Sequence, residues 1–333
     1  MVNFRYLFMD TNPNIRLHRR LAMGTEFLLY LDPAELDPAA ERTLVQAVFA
    51  EVDRVETIFS RFRPSSEISR INQLAPLGPV VTDPEVFGLL LQAESIHQLT
   101  HGAFDVALGR LSRAWGFAQR SPHLPDPEEL AQAQSASGMA LVSLDRTWRT
   151  VHFLAEGVEL DLGALAKGYA VDCALSVLHA AGAAALVDAG HSSLAATGEP
   201  FATGWPVEVR APQLPGQEPT LLSSVRLHTN SLGTSGIMEQ KFEQGGQSFS
   251  HLFDTRSQGI GNRDQDASAQ LLQASVLAPT AALADALSTA MFVLGPVEGS
   301  AALAAFPGSA ALWVTAQAGC IRTAGYNWPA AQP

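Results

Sequence analysis

The sequence predicts an α+β fold with mixed or antiparallel sheets covered by helices, arranged as one large domain or as two lobes. Two observations carry this prediction. Segments that read as strands alternate along the chain with segments whose apolar residues recur at helical spacing. The 333 residues are 47% hydrophobic and 16% charged, which is enough apolar material for a sizeable core.

Strand and helix patterns alternate in the first half of the chain. The apolar run 26–32 predicts a strand, and it precedes a helix over 38–59 whose apolar residues recur every three or four positions. A second helix is predicted over 84–99. Residues 150–163 predict a hairpin that turns at 155–157, where Gly157 interrupts the β-like pattern.

The second half continues in the same way. A helix is predicted over 164–181, ended by Gly182. The last helix is predicted over 280–294 and begins at Thr280, a residue type that caps helix N-termini. The predicted strands between and beside these helices are 184–190, 205–212, 223–229, 250–256 and 273–278, and 255–270 is predicted as a polar loop.

The charge balance excludes one class of partner. The chain has 33 acidic and 21 basic residues and a formal charge of −12, so it lacks the basic surface that phosphate backbones require. We therefore expect no nucleic acid partner. A bound nucleotide would need a locally placed cation or metal ion.

Cysteine and hydropathy patterns exclude further classes. Cys173 and Cys320 stand far apart without a neighbouring ligand motif, so no thiolate zinc site is predicted. The first residues are too polar for a secretory signal, which predicts a cytoplasmic protein, or a periplasmic one if an export signal has been trimmed. Charged residues and prolines interrupt the alanine-rich region after residue 279, so we expect no membrane span.

The segment LDLGALAKGYA places charged residues in an otherwise apolar stretch. Asp161 and Lys167 are separated by a change from strand to helix, and glycines at 163 and 168 permit close backbone approach. A helix start binds anions through free N–H groups. One interpretation is therefore an anion-binding helix start, and the alternative is a capped helix with Lys167 on its exposed face. The spacing alone does not decide between the two.

Two oxygen-bearing side chains lie one turn apart on the last predicted helix. Asp285 and Thr289 fall on the same side, and the helix is apolar nearly all round, which is typical of a buried helix. Hard oxygen ligands at this spacing suit Mg²⁺ bound together with a substrate phosphate. The alternative is that Asp285 faces a solvent gap and Thr289 bonds back to its own helix.

His251 and Asp254 lie three residues apart in SHLFDTR. A regular strand would place them on opposite faces, which argues against a simple His–Asp pair unless a bulge intervenes. A lone histidine has a pKa suited to proton transfer but is more often structural. The nearby run NSLGTSG could hold an anion in its backbone amides or could be a plain turn.

Taken together and in order, these segments resemble the ApbE family of magnesium-dependent flavin transferases. The resemblance spans about residues 20–295. Its motifs are MGTEF (23–27), FSRFRPSSEISRIN (59–72), GAFDVALGRLSRAWGF (102–117), LDLGALAKGYAVD (160–172), ALVDAG (185–190), TSG (234–236), SHLFDTR (250–256) and ADALSTAMFVLG (284–295). It implies a T-fold-related domain over 20–330, preceded by an extension over 1–19.

The resemblance also implies roles for individual residues. Mg²⁺ would be bound by the Ala164 carbonyl, Asp285 and Thr289, and the catalytic residues would be Lys167 and the proton acceptor His251. The residues expected to contact FAD are Met23, Phe62, Ala103, Phe104, Asp105, Asp161, Lys167 and Leu252.

The chain departs from the family pattern at several positions. Phe62 stands where the family usually has Tyr, which leaves a ring for stacking but removes a hydroxyl. Val106, His191 and Thr255 replace residues of three further motifs, and the change at 255 removes a proline that would stiffen the turn. None of these changes removes an expected metal ligand or His251.

The activity implied is Mg²⁺-dependent transfer of FMN from FAD to a threonine or serine hydroxyl of an acceptor protein, with release of AMP. FAD and the acceptor flavoprotein are the expected partners. Two alternatives remain open from the residues alone: an FAD pyrophosphatase that uses water as acceptor, and an FAD-binding protein without turnover. Dinucleotide oxidoreduction is poorly supported, because no GxGxxG follows a strand.

Overall fold

The computed structural model describes residues 4–6, 12, 14–33, 36–201, 204–212, 221–237, 241–244, 247–254, 256, 259–260, 271–316 and 320–323. The chain divides into two units. The first unit contains Met1–Glu56, Leu165–Glu239 and Asp266–Pro333, and the second contains Thr57–Ala164 and Gln240–Gln265.

The described helices and strands follow in chain order. The helices are α1 (Pro38–Phe59), α2 (Glu67–Leu74), α3 (Pro84–Leu99), α4 (Gly109–Ala114), α5 (Pro127–Ser135), α6 (Gly163–Ala180) and α7 (Ala281–Leu303), with a 3₁₀ turn at Met139–Leu141. The strands are β1 (Phe4–Tyr6), β2 (Arg16–Ala22), β3 (Thr25–Asp32), β4 (Val80–Val81), β5 (Val142–Asp145), β6 (Thr150–Phe153), β7 (Ala184–Ala189), β8 (Ser193–Thr197), β9 (Trp205–Arg210), β10 (Leu221–Leu227), β11 (Ser231–Gly236), β12 (Lys241–Gln244), β13 (Gln247–Ser250), β14 (Phe253–Asp254), β15 (Gly259–Ile260), β16 (Leu271–Ala278), β17 (Ala310–Thr315) and β18 (Cys320–Arg322).

The first unit is built on an eight-stranded antiparallel sheet in the order β18-β17-β16-β11-β8-β7-β3-β2. A three-stranded sheet, β1-β9-β10, packs against it through a buried apolar layer that includes Trp205, Leu232 and Leu312. Helix α7 packs on β11, β16 and β17. A side chain at Gly233 of β11 would lie 2.1 Å from the Ala284 carbonyl oxygen, so the strand and the helix are in backbone contact.

The second unit contains three small sheets and the helices α2 to α5. The sheet β4-β6-β5 and the hairpins β12-β13 and β14-β15 are all antiparallel. A small apolar cluster of Leu111, Ala114 and Ala133 joins α4 to α5, and Phe253 packs against it. Rings of Trp115, Phe117, Phe242 and Phe249 form an aromatic cluster beside it.

The α+β class and the antiparallel sheets agree with the sequence prediction, and so do the long helices. Helices α1 and α3 have the predicted bounds, and α6 differs from its prediction by one residue at each end. The first straight part of α7 ends where predicted, because Gly295 takes a left-handed φ of 70° and Pro296 follows.

Two strand predictions are wrong. The chain turns at 156–157, but the predicted hairpin does not form, since β6 pairs with β5 through the turn 146–149. Residues 158–162 are not a strand, because Asn72 hydrogen-bonds both backbone groups of Leu160 and the Val106 carbonyl accepts the N–H of Asp161. The segment 250–256 is also interrupted: β13 ends at Ser250 and β14 covers Phe253–Asp254.

Residues of the expected extension 1–19 take part in the sheets. Strand β1 pairs with β9, and β2 crosses the boundary drawn between residues 19 and 20. In the turn from β2 to β3, Met23 and Gly24 have φ angles of 51° and 74°. Two successive positive φ angles are typical of a two-residue hairpin turn. Most of the predicted polar loop 255–270 lies outside the described residues.

Within the described part of the chain, α7 is the one helix long and apolar enough by composition to cross a membrane. Its apolar residues are accounted for by packing, since most of the helix is buried and it contacts β8, β11, β16 and β17 of the first unit. A helix that is apolar on all sides is expected in such a position.

Gly168 tests the packing of α6 against α7. A Cβ atom at this position would lie 2.2 Å from the carbonyl oxygen of Ala281, so Gly168→Ala must push the two helices apart. We expect it to lower the free energy of unfolding by about 2 kcal/mol or more in urea titrations. Gly88→Ala in α3, where the space is open, should instead stabilise by about 0.5–1 kcal/mol. Wild-type stability of the Gly168 variant would contradict this packing.

Candidate functional site

Helices α6 and α7 each provide a carboxylate to the backbone of the other. Both oxygens of Asp172 on α6 accept hydrogen bonds from the first N–H groups of α7, those of Ala281 at 2.8 Å and Ala282 at 2.9 Å. In return, Asp285 Oδ2 on α7 accepts the N–H of Gly168 at 3.1 Å. The helix start that carries Asp285 is therefore held by charged groups as well as by packing.

The Asp285 carboxylate is surrounded by polar partners although the residue is only 3% exposed. The Nζ of Lys167 lies 3.5 Å from Oδ2. One turn further along α7, Thr289 Oγ1 lies 3.1 Å from Ser235 Oγ, which also contacts the Ser288 hydroxyl at 2.8 Å. The structure thus brings Lys167, Asp285 and Thr289 together within the first unit.

The alternative explanation for Asp285 and Thr289 does not match this geometry. Asp285 is buried rather than facing a solvent gap. The residue that bonds back to its own helix is Ser288, whose hydroxyl donates to the Asp285 carbonyl at 2.8 Å, whereas Thr289 is paired with Ser235 on β11. Ser235 belongs to the run NSLGTSG, which the sequence predicted to be either an anion-binding segment or a plain turn; residues 231–236 instead form strand β11.

The donor set fits a hard divalent cation. A carboxylate and a hydroxyl one helical turn apart offer oxygen ligands only, as Mg²⁺ prefers. Among the residues that the structure describes, no three His, Cys, Asp or Glu side chains form a metal cluster, so a nitrogen or sulfur site is not indicated there. Ala164 is the second residue of α6 and belongs to the second unit, and its carbonyl as a ligand stays a prediction.

The burial that holds Asp172 in its capping position shifts the pKa of its carboxyl group. Burial raises its pKa to about 6, while the N–H groups of Ala282 and Ala281 act in the opposite direction and the nearby Asp285 adds to the rise. The surroundings thus favour the neutral form more than water does, although with a pKa of about 6 the carboxylate that caps α7 is mostly ionised at pH 7.

In the second unit, the acid that opens the LDLG segment is paired. Asp161 Oδ1 accepts the N–H of Gly163 at 3.0 Å and so caps the start of α6. Its Oδ2 lies 3.0 Å from Nε of Arg61, a residue that sequence reasoning did not single out. The same guanidinium lies 4.8 Å from the ring centre of Phe62, which is 68% exposed. Arg61 therefore links two of the expected FAD contacts.

The GAFD residues are buried. Ala103 and Phe104 have almost no exposed surface, and Asp105 uses its carboxylate on the backbone N–H groups of Ala107 and Met139 at 2.7 and 2.9 Å. A hydrogen bond from the His97 ring to the Asp105 carboxylate raises the pKa of His97, and this effect outweighs burial. These contacts stabilise the loop, and the role of the three residues toward FAD stays a prediction.

His251 follows β13 and is partly exposed. Its ring packs edge-on against Phe117 at 6.3 Å between ring centres, and the neighbouring Leu252 is buried. Asp254 pairs with Arg256 through two hydrogen bonds, of 2.9 and 3.0 Å. The carboxylate of the HxxD motif thus orients an arginine. The role of His251 as proton acceptor and that of Leu252 toward FAD both stay predictions.

The fold and the site define an α+β protein whose eight-stranded sheet supports a helix with a carboxylate and a hydroxyl one turn apart. The ApbE family profile matches residues 17–313 of this chain. The sequence is 33% identical over 299 residues to the FAD:protein FMN transferase of Treponema pallidum (strain Nichols), an alignment that covers 83% of this chain and 78% of the relative.

Solved structures agree with this result. The crystal structure of the ApbE protein from Thermotoga maritima has a TM-score of 0.80 at 27% identity and covers 93% of this chain and 97% of its own. The apo flavinyl transferase ApbE of Pseudomonas stutzeri has a TM-score of 0.77 at 27% identity and covers 93% of this chain and 94% of its own. The chain belongs to the ApbE family, and the resemblance read from its sequence is confirmed.

Asp172→Asn tests the capping carboxylate. Between about pH 4 and pH 6 the folded chain keeps a proton on Asp172 that the unfolded chain has released, so this residue's contribution to stability falls as pH rises. We expect wild type to lose about 2–3 kcal/mol relative to the Asn variant between pH 4 and pH 7. Urea unfolding of both proteins across this range measures the difference, and a difference that does not change with pH would contradict the shift.

Proposed function

We propose that this chain transfers FMN from FAD to a threonine or serine hydroxyl of an acceptor protein, in a Mg²⁺-dependent reaction that releases AMP. The relative from T. pallidum is named FAD:protein FMN transferase, and so is one from Haemophilus influenzae that is 29% identical over 280 residues. The observation that carries the proposal is the cluster that the buried Asp285 forms with the partly exposed Lys167 and Thr289, which suits a bound cation beside a phosphate.

In this proposal Asp285 and Thr289 hold the ion, with the Ala164 carbonyl as the third ligand that the resemblance implies. Bound there, Mg²⁺ supplies charge neutralisation at the pyrophosphate of FAD. Lys167, which lies 3.5 Å from Asp285, adds a positive charge for the phosphate oxygens. The hydrogen bond between the Ser235 and Thr289 hydroxyls holds Thr289 Oγ1 in place.

The reaction is a displacement at phosphorus. The acceptor hydroxyl oxygen forms a bond to the phosphorus of the FMN half, and the bond from this phosphorus to the AMP oxygen breaks. His251 receives the hydroxyl proton, and AMP leaves with the electron pair of the broken bond. Phosphoryl transfer depends mainly on positioning and electrostatics, so the proton acceptor contributes less than the charged cluster.

Asp285→Asn tests the cation site. The change keeps the size of the side chain but removes its charge, so we expect Mg²⁺-dependent AMP release from FAD to fall by about 100-fold or more. Glu298→Gln is the matched control, because it removes the same charge from an exposed position on the same helix. AMP release by the Asp285 variant at the control's rate would contradict the assignment.

His251→Ala separates binding from transfer. We expect transfer of FMN to the acceptor to fall by about 10²–10⁴-fold, because a proton acceptor contributes in this range. The Kd for FAD should stay within about threefold of wild type, since the lost group acts on the acceptor hydroxyl. His152→Ala, in β6 of the same unit, serves as the control. Equal losses in binding and transfer would show that His251 is structural.

A further inference from the structure

Arg61 carries a full charge in an almost fully buried position. Its side chain is 4% exposed, although arginine is among the residues least often buried without pairing. It follows α1 by two residues, and the Ser69 hydroxyl of α2 donates to its carbonyl at 3.2 Å. Such a buried guanidinium requires partners for its donors.

The guanidinium contacts two carboxylates and two neutral oxygens. Nη1 donates to Glu159 at 3.1 Å and is 3.4 Å from the Gly109 carbonyl, and Nη2 donates to Ser112 Oγ at 3.2 Å. Nε lies 3.0 Å from Asp161 Oδ2 but is not aligned for a hydrogen bond, so that pairing is electrostatic. Glu159 therefore anchors Arg61, and Arg61 in turn attracts Asp161.

The flat face of the same guanidinium supports Phe62. The distance of 4.8 Å from its central carbon to the ring centre is within the range of a cation–π contact. Phe62 is 68% exposed, so its ring is available to a ligand. An exposed phenylalanine would sample several rotamers without such a support.

We infer that Arg61 is a positioning residue for FAD: it fixes the Asp161 carboxylate and the Phe62 ring together, so that the planar ring of a dinucleotide can stack on Phe62. This inference rests on the proposed function, which assigns FAD contacts to both residues. Arg61 itself acts through them. A lysine cannot replace it fully, because an ammonium group cannot span two carboxylates and a ring face.

Arg113 offers a matched control. It donates two hydrogen bonds to Glu159, at 3.1 and 2.8 Å, and so shares the anchor of Arg61. It is half exposed and belongs to α4. A variant at Arg113 therefore disturbs the same carboxylate while it leaves Arg61 beside Asp161 and Phe62.

The test uses the full chain and two measurements. FAD binding is measured by the change in FAD fluorescence, and FMN transfer to the acceptor is measured by steady-state kinetics. For Arg61→Met we expect the Kd and KM for FAD to rise about tenfold or more, with kcat at saturating FAD changed less than about threefold. Arg61→Lys should lie between this variant and wild type, and Arg113→Met should stay within about twofold of wild type. If Arg61→Met does not fold, Arg61→Gln takes its place, because its amide can still donate a hydrogen bond and Glu159 keeps its hydrogen bonds from Arg113.

A double-mutant cycle with Asp161→Asn completes the test. If Arg61 acts through Asp161, Arg61→Met weakens FAD binding less in the Asp161→Asn background than in wild type, whereas independent roles give losses that multiply. Any one of three results would overturn the inference: Arg61→Met binds FAD with wild-type affinity, Arg113→Met loses as much FAD affinity as Arg61→Met, or the losses in the cycle multiply. Wild-type protein that fails to bind FAD would instead overturn the proposed function.

Discussion

The exchange of carboxylates between α6 and α7 is the interaction on which the candidate metal site depends. Asp172 holds the first turn of α7, and Asp285 takes a backbone N–H of α6, so the two helices are fixed at both positions. Gly168 permits the close approach that makes both contacts possible. Because Asp285 and Thr289 lie on the first turns of α7, any loosening of its start would change the spacing of their oxygens.

The same principle recurs within the second unit on a smaller scale. The buried charge of Arg61 is held by opposite charges and neutral oxygens, and the exposed Phe62 ring lies against that charge. Burying an ion pair costs desolvation free energy, and removing one partner of the pair leaves the other charge buried and uncompensated. Residues such as Asp172 and Arg61 are therefore informative: under the proposed function, each orients groups that meet a ligand, which accounts for the desolvation of a charged side chain there.

Sequence reasoning identified the helices and the Asp285–Thr289 pair, because helical spacing and capping signals are local. The ordered motifs identified the family. The false hairpin at 155–157 arose because Asn72, far away in sequence, satisfies the backbone of the second segment. Arg61 and Asp172 belong to two of the family motifs, but the sequence did not predict their roles. Their partners come from distant segments that no spacing rule connects. The burial of Phe104 and Asp105 was invisible for the same reason.

The most direct test of the account is the stoichiometry of products from wild-type protein, FAD, Mg²⁺ and a threonine-containing acceptor domain. Intact mass measures the acceptor that gains FMN, and a parallel assay measures AMP. The account predicts one AMP for each FMN-labelled acceptor, with neither product when Mg²⁺ is removed. AMP without a labelled acceptor would contradict protein flavinylation of that acceptor and favour hydrolysis, and tight FAD binding with neither product would contradict catalysis altogether.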